Sequence, residues 1–210
     1  MLLLLVRHGL TDLTAARLVG RLPGVNLNAE GQTQARAAAE LLAPVPVSVI
    51  VSSPLERTLQ TAAPLVERTG LSLVEDARLL EVDYGEWAGQ EFKTLRKTDL
   101  WKVVQQHPSG ARFPGGESVR EAQARIVAAV EDLLARHPGE VVAAFSHSDM
   151  IKLAVAHFTG IHLDLFQRLV VSAGSVTALH LGKGPPALIK LNEVGSLADL
   201  KPVRARRGKN

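Results

Sequence analysis

The sequence predicts an α/β protein with a three-layer, doubly wound and mostly parallel sheet, helices on both faces and a small irregular cap. Short apolar runs alternate with segments of helical period along the chain, which is the pattern of strands joined by crossover helices. Helix start and stop signals separate the two kinds of segment. A hydrophobic content of 46% and a mean hydropathy of +0.11 are sufficient for a sizeable core.

The predicted strands are short apolar or β-branched runs. The first is apolar on both faces, as expected for a central strand buried between two helical layers. The six runs span residues 1–6, 47–51, 71–74, 140–145, 175–181 and 187–191.

The predicted helices span residues 28–42, 55–69, 118–137 and 149–158. Asn28 is expected to cap the first, Ser53 the second, and Ser118 the third, where Glu121 completes a capping box. Stop signals follow, including Pro44 with Pro46, Gly70, Pro138 with Gly139, and Gly160. Residues 86–116 show no clear period and are predicted to form the cap.

Residues 1–200 are predicted to form one domain, and residues 201–210 a basic, disordered tail. Much of the net charge of +3 lies in this tail, so a nucleic-acid partner is not expected. The apolar start, residues 1–6, is too short for a membrane span or a signal peptide. Absence of cysteine fits a reducing compartment. We therefore expect a cytoplasmic protein without a membrane partner.

Reactive side chains follow three of the predicted strands. The first strand ends at Arg7-His8-Gly9, the second leads into a helix carrying Arg57, and the fourth ends before His147. Glu81 follows the third. Because carboxyl ends of parallel strands share one edge of a sheet, these groups are expected to meet there. Either histidine alone would more often be an ordinary core residue.

The chain resembles the histidine phosphatase superfamily, whose members are phosphoglycerate-mutase-like enzymes. The resemblance extends from Leu5 to about Leu181. It is carried by five motifs in the family's order: LVRHG at 5–9, SSPLERTLQTA at 52–62, LLEVDYGEWAG at 79–89, FPGGES at 113–118 and FSHSDMIK at 145–152.

The resemblance implies catalysis through a phosphohistidine on His8, without a metal or other cofactor. His147 would contact the phosphate beside His8, and Glu81 would act as general acid and then as general base. Arg7 and Arg57 would hold the phosphoryl oxygens. The remaining implied phosphate contacts come from Gly9, Thr14 and Ser148.

Three positions depart from the family's usual pattern, one of them Ser148, which stands where a glycine commonly follows the second histidine. Leu10 stands where a glutamate or glutamine is common, and Thr14 where an asparagine contacts phosphate. Further cations are weaker candidates for substrate binding, namely Arg21, Lys93, Arg96 and Arg112. Trp87, Phe92 and Trp101 are expected to pack within the cap rather than to bind a ligand.

The same motifs fit a phosphomonoester hydrolase and a bisphosphoglycerate-dependent mutase. Mutases of the family carry a longer insertion with paired arginines, whereas the interval between Glu81 and His147 lacks an Arg-Arg pair. Hydrolysis is therefore favoured. The compact and mildly basic cap, residues 86–116, favours a small acidic phosphorylated metabolite over a protein as the substrate. A catalytically silent phosphate-binding protein is a third hypothesis for the function. For the assembly, the family resemblance suggests a homodimer.

Overall fold

The computed structural model describes residues 1–197, which form a six-stranded sheet of order β3-β2-β4-β1-β5-β6. β3, β2, β4 and β1 run parallel, and β5 is antiparallel to both β1 and β6. The predicted mostly parallel α/β sheet is thus confirmed. The strands are β1 (Leu2–Arg7), β2 (Val49–Ser52), β3 (Leu73–Glu75), β4 (Val141–Ser146), β5 (Val176–His180) and β6 (Ala187–Glu193).

Helices cover both faces because side chains of β1 alternate between two hydrophobic clusters. Leu3 and Leu5 pack with the cluster that includes α5 and α6, whereas Leu2, Leu4 and Val6 pack with the one that includes α1 and α2. The α-helices are α1 (Ala29–Leu42), α2 (Glu56–Thr69), α3 (Phe92–Leu95), α4 (Asp99–Gln106), α5 (Val119–Arg136) and α6 (Ser148–Thr159).

The predicted caps of α1 and α5 are present, but the cap of α2 is wrong. Asn28 accepts from Gly31 N, and Ser118 forms a complete capping box with Glu121. At α2 the N-cap residue is Leu55, which offers no side-chain bond. Ser53 lies outside the helix and is fully buried, so its hydroxyl serves another partner.

The cap is more regular than the sequence indicated. It contains α3 and α4, and Thr98 Oγ1 caps α4 by accepting from Trp101 N at 3.2 Å. Main-chain bonds attach it to the segment before α1, through Leu18 N to Gln90 O at 2.9 Å and Phe92 N to Ala16 O at 3.2 Å. The cap is therefore fixed over the carboxyl edge of the sheet.

The predicted basic tail lies outside the described residues. Within residues 1–197, no helix combines the length and apolarity needed to cross a bilayer.

Candidate active site

His8 and His147 leave the sheet side by side at the carboxyl ends of β1 and β4. Arg7 pairs with Ser146 in parallel register, and His8 N donates to Ser146 O at 3.1 Å. The two imidazole centroids are 5.3 Å apart, with an interplanar angle of 61°. The strand register brings the two histidines together as the sequence predicted.

His8 is held in one tautomer. Its Nδ1 lies 2.7 Å from Gly9 O, and because a carbonyl can only accept, Nδ1 carries the proton. Burial and the nearby Arg57 and Arg7 lower the pKa of His8 to about 3, although the bond to Gly9 opposes this. The imidazole is thus neutral at physiological pH, and its Nε2 lone pair is free for attack.

Arg57 fixes the tautomer of His147, and Ser53 bonds to the other ring nitrogen. Arg57 Nη2 lies 3.2 Å from His147 Nδ1, and since a guanidinium has no acceptor, Nδ1 must accept. The neutral ring therefore carries its proton on Nε2, which lies 2.9 Å from Ser53 Oγ. Burial, followed by the charge of Arg57, lowers the pKa of His147 well below its usual value. Sequence reasoning missed this role of Ser53.

Arg7 and Arg57 hold unpaired donors beside the two histidines. Arg57 is 1% exposed and donates from Nη2 to Gly20 O at 2.7 Å, while Arg7 Nη1 donates to Val171 O at 2.7 Å. Among the described residues, Arg7 Nε and Arg57 Nε and Nη1 have no hydrogen-bond partner. Buried donors without acceptors destabilise a protein, so these groups have the charge and the free donors needed to bind an oxyanion.

Glu81 is buried and retains its proton to unusually high pH. Its Oε1 accepts from Val82 N at 3.0 Å. Burial and then the charge of Asp149 raise the pKa of Glu81 to about 7, although the Val82 bond, Arg57 and Arg7 oppose the rise. A carboxyl group that titrates near neutral pH can both donate and accept a proton in one cycle.

Two arginines hold the main chain at Glu81. Arg21 Nε donates to Glu81 O at 2.8 Å, and Arg125 Nη2 donates to the same oxygen at 3.3 Å. Both guanidinium groups also pair with Glu117 Oε1, at 3.0 Å from Arg21 and 2.8 Å from Arg125. Arg21 was predicted to bind substrate, but it is occupied in this network, which also includes Asp83 at 3.4 Å.

Gly9 is required for packing. A Cβ at Gly9 would lie 2.5 Å from Gly31 O, and one at Gly31 would lie 2.0 Å from Leu10 O. The two glycines therefore let β1 and the start of α1 meet closely. Gly9 is outside the described lining of the site cavity, and its main-chain N–H donates to Thr61 Oγ1 at 3.1 Å; its predicted phosphate contact stays a prediction.

Thr14 and Ser148 do line the cavity. Thr14 Oγ1 lies 3.0 Å from Thr11 Oγ1 and accepts from Thr11 N at 3.0 Å. Its hydroxyl is thus already engaged within its own turn. Ser148 is the first residue of α6. Its main-chain N–H therefore lies at the helix N-terminus, where free N–H groups and the helix dipole favour an anion.

The other predicted substrate cations lie outside the described lining. Lys93 pairs with Glu91 at 2.7 Å, Arg112 pairs with Glu121, and Arg96 is exposed. All three side chains are exposed, so solvent hydrates their charges. Arg17, which was not predicted, is the cation that accompanies Arg7 and Arg57 in the described lining.

The cavity has a volume of about 260 Å³ and contains both the ionic groups and the cap aromatics. Trp101 packs on both other rings, with its centroid 6.4 Å from that of Trp87 and 6.1 Å from that of Phe92. They were expected only to pack, but they also line the cavity. Within residues 1–197, no group of three or more histidine, aspartate or glutamate side chains could hold a metal.

An oxyanion site with a neutral, oriented histidine at the carboxyl edge of a parallel sheet defines an α/β enzyme that handles phosphate. The chain belongs to the histidine phosphatase superfamily (branch 1), whose family model matches residues 3–194. This membership confirms the family to which the sequence motifs pointed.

Named relatives span phosphatases and mutases. Phosphoserine phosphatase 1 of Hydrogenobacter thermophilus is 29% identical over 90% of this chain and 91% of its own. The "Probable phosphoglycerate mutase GpmB" of Enterobacter sp. (strain 638) is 29% identical over 86% of this chain and 85% of its own. The solved structure of a mycobacterial glucosyl-3-phosphoglycerate phosphatase, in complex with VO3, is 30% identical in sequence and has a TM-score of 0.83. The match covers 91% of this chain and 98% of that one.

Proposed function

We propose that this chain is a metal-independent phosphomonoester hydrolase in which His8 is the nucleophile. The observation that carries the proposal is the pairing of a neutral His8, its Nε2 free, with buried arginine donors that have no partner among the described residues. A phosphoryl group presents three oxygens to such donors. The guanidinium groups would then stabilise the charge that develops on those oxygens.

The reaction proceeds in two displacements at phosphorus. His8 Nε2 forms a bond to phosphorus while the ester P–O bond breaks, and protonated Glu81 gives its proton to the leaving alkoxide. Water then attacks the phosphohistidine, Glu81 takes a proton from that water, and the P–N bond breaks to release inorganic phosphate. The pKa of Glu81, raised to about 7, suits both halves of this cycle.

The supporting groups bind the phosphoryl oxygens in both steps. Arg7 and Arg57 contribute guanidinium donors, and Ser148 contributes the N-terminus of α6. His147 lies beside His8 with its two ring nitrogens bonded to Arg57 and Ser53, so in this mechanism it positions the Arg57 guanidinium. Thr14 and Gly9 are given no direct phosphate contact in this mechanism, because the Thr14 hydroxyl is bonded to Thr11 and the Gly9 N–H donates to Thr61.

Hydrolysis is favoured over mutase activity by the charges around the cavity. A phosphoglycerate mutase must hold the substrate carboxylate as well as its phosphate. Beyond Arg7 and Arg57, the described lining offers only Arg17, which pairs with Glu91 at 3.3 Å. The bisphosphoglycerate-dependent mutase remains the alternative, and it would require added bisphosphate primer.

The test is hydrolysis of p-nitrophenyl phosphate in EDTA by the wild type, by His8→Ala and by Lys93→Ala. We expect the wild type and Lys93→Ala to be equally active, and His8→Ala to lose at least about 10³-fold. Equal slow rates for all three proteins would refute the phosphohistidine mechanism. Little hydrolysis combined with primer-dependent phosphoglycerate interconversion would identify a mutase.

The proposal extends to a small-molecule substrate, cytoplasmic location and homodimeric assembly without nucleic acid. A 260 Å³ cavity lies just below the usual size for drug-like ligands, about 300–1,000 Å³. The family resemblance supports the dimer. Exposed Ile189, Leu191 and Val194 along or next to edge strand β6 offer an apolar surface for it.

A further inference from the structure

The aromatic residues of this chain are concentrated around the site cavity. The sequence contains only two tryptophans, one tyrosine and five phenylalanines. Five of these eight side chains line the cavity: Tyr84, Trp87, Phe92, Trp101 and Phe113. A core-packing role alone does not explain why a chain so poor in aromatic residues places most of them at one site.

The five rings form a continuous wall. Phe92 contacts Trp101, Trp101 stacks on Trp87, Trp87 meets Phe113 edge-on at 5.4 Å, and Phe113 meets Tyr84 edge-on at 4.8 Å. Tyr84 Oη in turn donates to Asp149 Oδ2 at 2.9 Å. The aromatic wall therefore runs from the cap to the ionic groups around Glu81.

The inner end of this wall is rigid and its outer end is accessible. Tyr84, Trp87 and Phe113 are buried, whereas Phe92 and Trp101 are only partly buried. Ala15, Leu18, Val19 and Val104 also contribute apolar side chains to the lining. A partly exposed aromatic face beside an apolar cavity is a surface on which another flat apolar group gains contact.

The charges around the cavity disfavour a leaving group that carries a carboxylate. Arg21, Lys93, Arg96 and Arg112 lie outside the described lining, and Arg17 is occupied by Glu91 and by Gly89 O at 2.9 Å. Asp149, which does line the cavity, would repel a second anion. The small acidic metabolite expected from the sequence depended on basic residues of the cap, and Lys93, Arg96 and Arg112 lie outside the described lining.

We infer that the preferred substrate is a phosphomonoester of an uncharged, ring-bearing apolar alcohol, whose ring lies against the wall formed by Phe92, Trp101 and Trp87. This inference rests on the proposed hydrolase function. It names the substrate class that the same site takes, and it excludes phosphorylated hydroxy acids as preferred substrates.

The test compares three primary alkyl phosphates whose leaving groups have comparable intrinsic reactivity: 2-phenylethyl phosphate, ethyl phosphate and 3-phosphoglycerate. Release of inorganic phosphate gives kcat/KM for each. Since one methylene in an apolar pocket changes kcat/KM by about 10–200-fold, we expect the phenylethyl ester to exceed each of the others by at least about 10-fold. Equal values for phenylethyl and ethyl phosphate, or a higher value for 3-phosphoglycerate, would overturn the inference.

Two variants locate the preference in the wall. Trp101→Ala and Phe92→Ala should each reduce the phenylethyl-to-ethyl ratio of kcat/KM at least about 3-fold. Lys93→Ala, which changes a neighbour of Phe92 outside the described lining, should keep the wild-type ratio. An unchanged ratio in both aromatic variants would contradict the inference. Because the readout is a ratio, partial loss of folded protein does not affect it.

The outcomes separate the two proposals. If p-nitrophenyl phosphate and ethyl phosphate are hydrolysed but kcat/KM is equal for 2-phenylethyl and ethyl phosphate, only the proposed substrate class is refuted. Failure to hydrolyse any of the four esters refutes the hydrolase function and the inference with it.

Discussion

Replacing Glu81 with glutamine should make the protein more stable at alkaline pH while removing activity. Burial and Asp149 raise the pKa of Glu81 from 4.5 to about 7. A carboxyl whose pKa is higher in the folded state destabilises the fold above that pKa, and the penalty disappears as the pH falls toward the unfolded value. This rise in pKa lowers the free energy of unfolding by about 3 kcal/mol at pH 8 and by less than about 1 kcal/mol at pH 5.

Urea unfolding of the wild type and Glu81→Gln at pH 8 and pH 5 measures this difference. Glutamine preserves the shape of the side chain and can still accept from Val82 N through its amide oxygen. The variant should therefore gain up to about 3 kcal/mol at pH 8, and a few degrees in Tm for each kcal/mol. Its hydrolysis of ethyl phosphate should fall about 10²–10⁴-fold, the usual contribution of a general acid.

Glu117→Gln is the matched control, because its carboxylate has the opposite environment. Arg125 and Arg21 outweigh the burial of Glu117 and lower its pKa, so this variant should lose stability at pH 8. A Glu81→Gln variant no more stable than the wild type at pH 8, or with a gain equal at both pH values, would refute the reasoning. It would mean that Glu81 is ionised at little cost in the folded protein.

Two further predictions concern Asp149 and Gly31. Asp149→Asn removes a charge that raises the pKa of Glu81, so the alkaline limb of the pH–kcat profile for ethyl phosphate should move to lower pH by up to about one unit; an unmoved limb contradicts this. Gly31→Ala places a Cβ 2.0 Å from Leu10 O and should destabilise the fold by about 1–3 kcal/mol or more in urea unfolding. Gly184→Ala, whose Cβ would meet nothing within 4 Å, should change stability little, and equal effects would contradict the packing argument.

Much of the fold could be predicted because its signals are local. The buried run of β1, the Asn28 cap and the Ser118–Glu121 capping box each depend on residues a few positions apart. The meeting of His8 and His147 also followed, since the carboxyl ends of parallel strands share an edge. The α3 and α4 helices of the cap were missed because α3 is a single turn and α4 only two, too short to show a clear period.

The rest of the site depends on contacts between distant residues, which single-sequence patterns do not encode. Ser53 and His147 are 94 positions apart, and Ser53 looked like an ordinary cap before Pro54. Arg21 looked like a substrate cation because its three partners, which are Glu81 O, Asp83 and Glu117, come from other segments. The sequence shows which aromatic residues the chain contains. Only the folded structure shows that five of them line one cavity.

The cap enters and leaves the domain through one narrow neck. Glu117 N bonds to Asp83 O at 2.9 Å and Glu86 N to Pro114 O at 2.8 Å, while a Cβ at Gly116 would meet Asp83 O at 2.2 Å. Arg125 anchors Glu81 to α5, outside this lobe. The cap is thus joined to the domain both by this neck and by its main-chain bonds to the segment before α1, so a graft that replaced the cap would have to preserve both attachments. Relatives with different specificities are natural donors for such grafts.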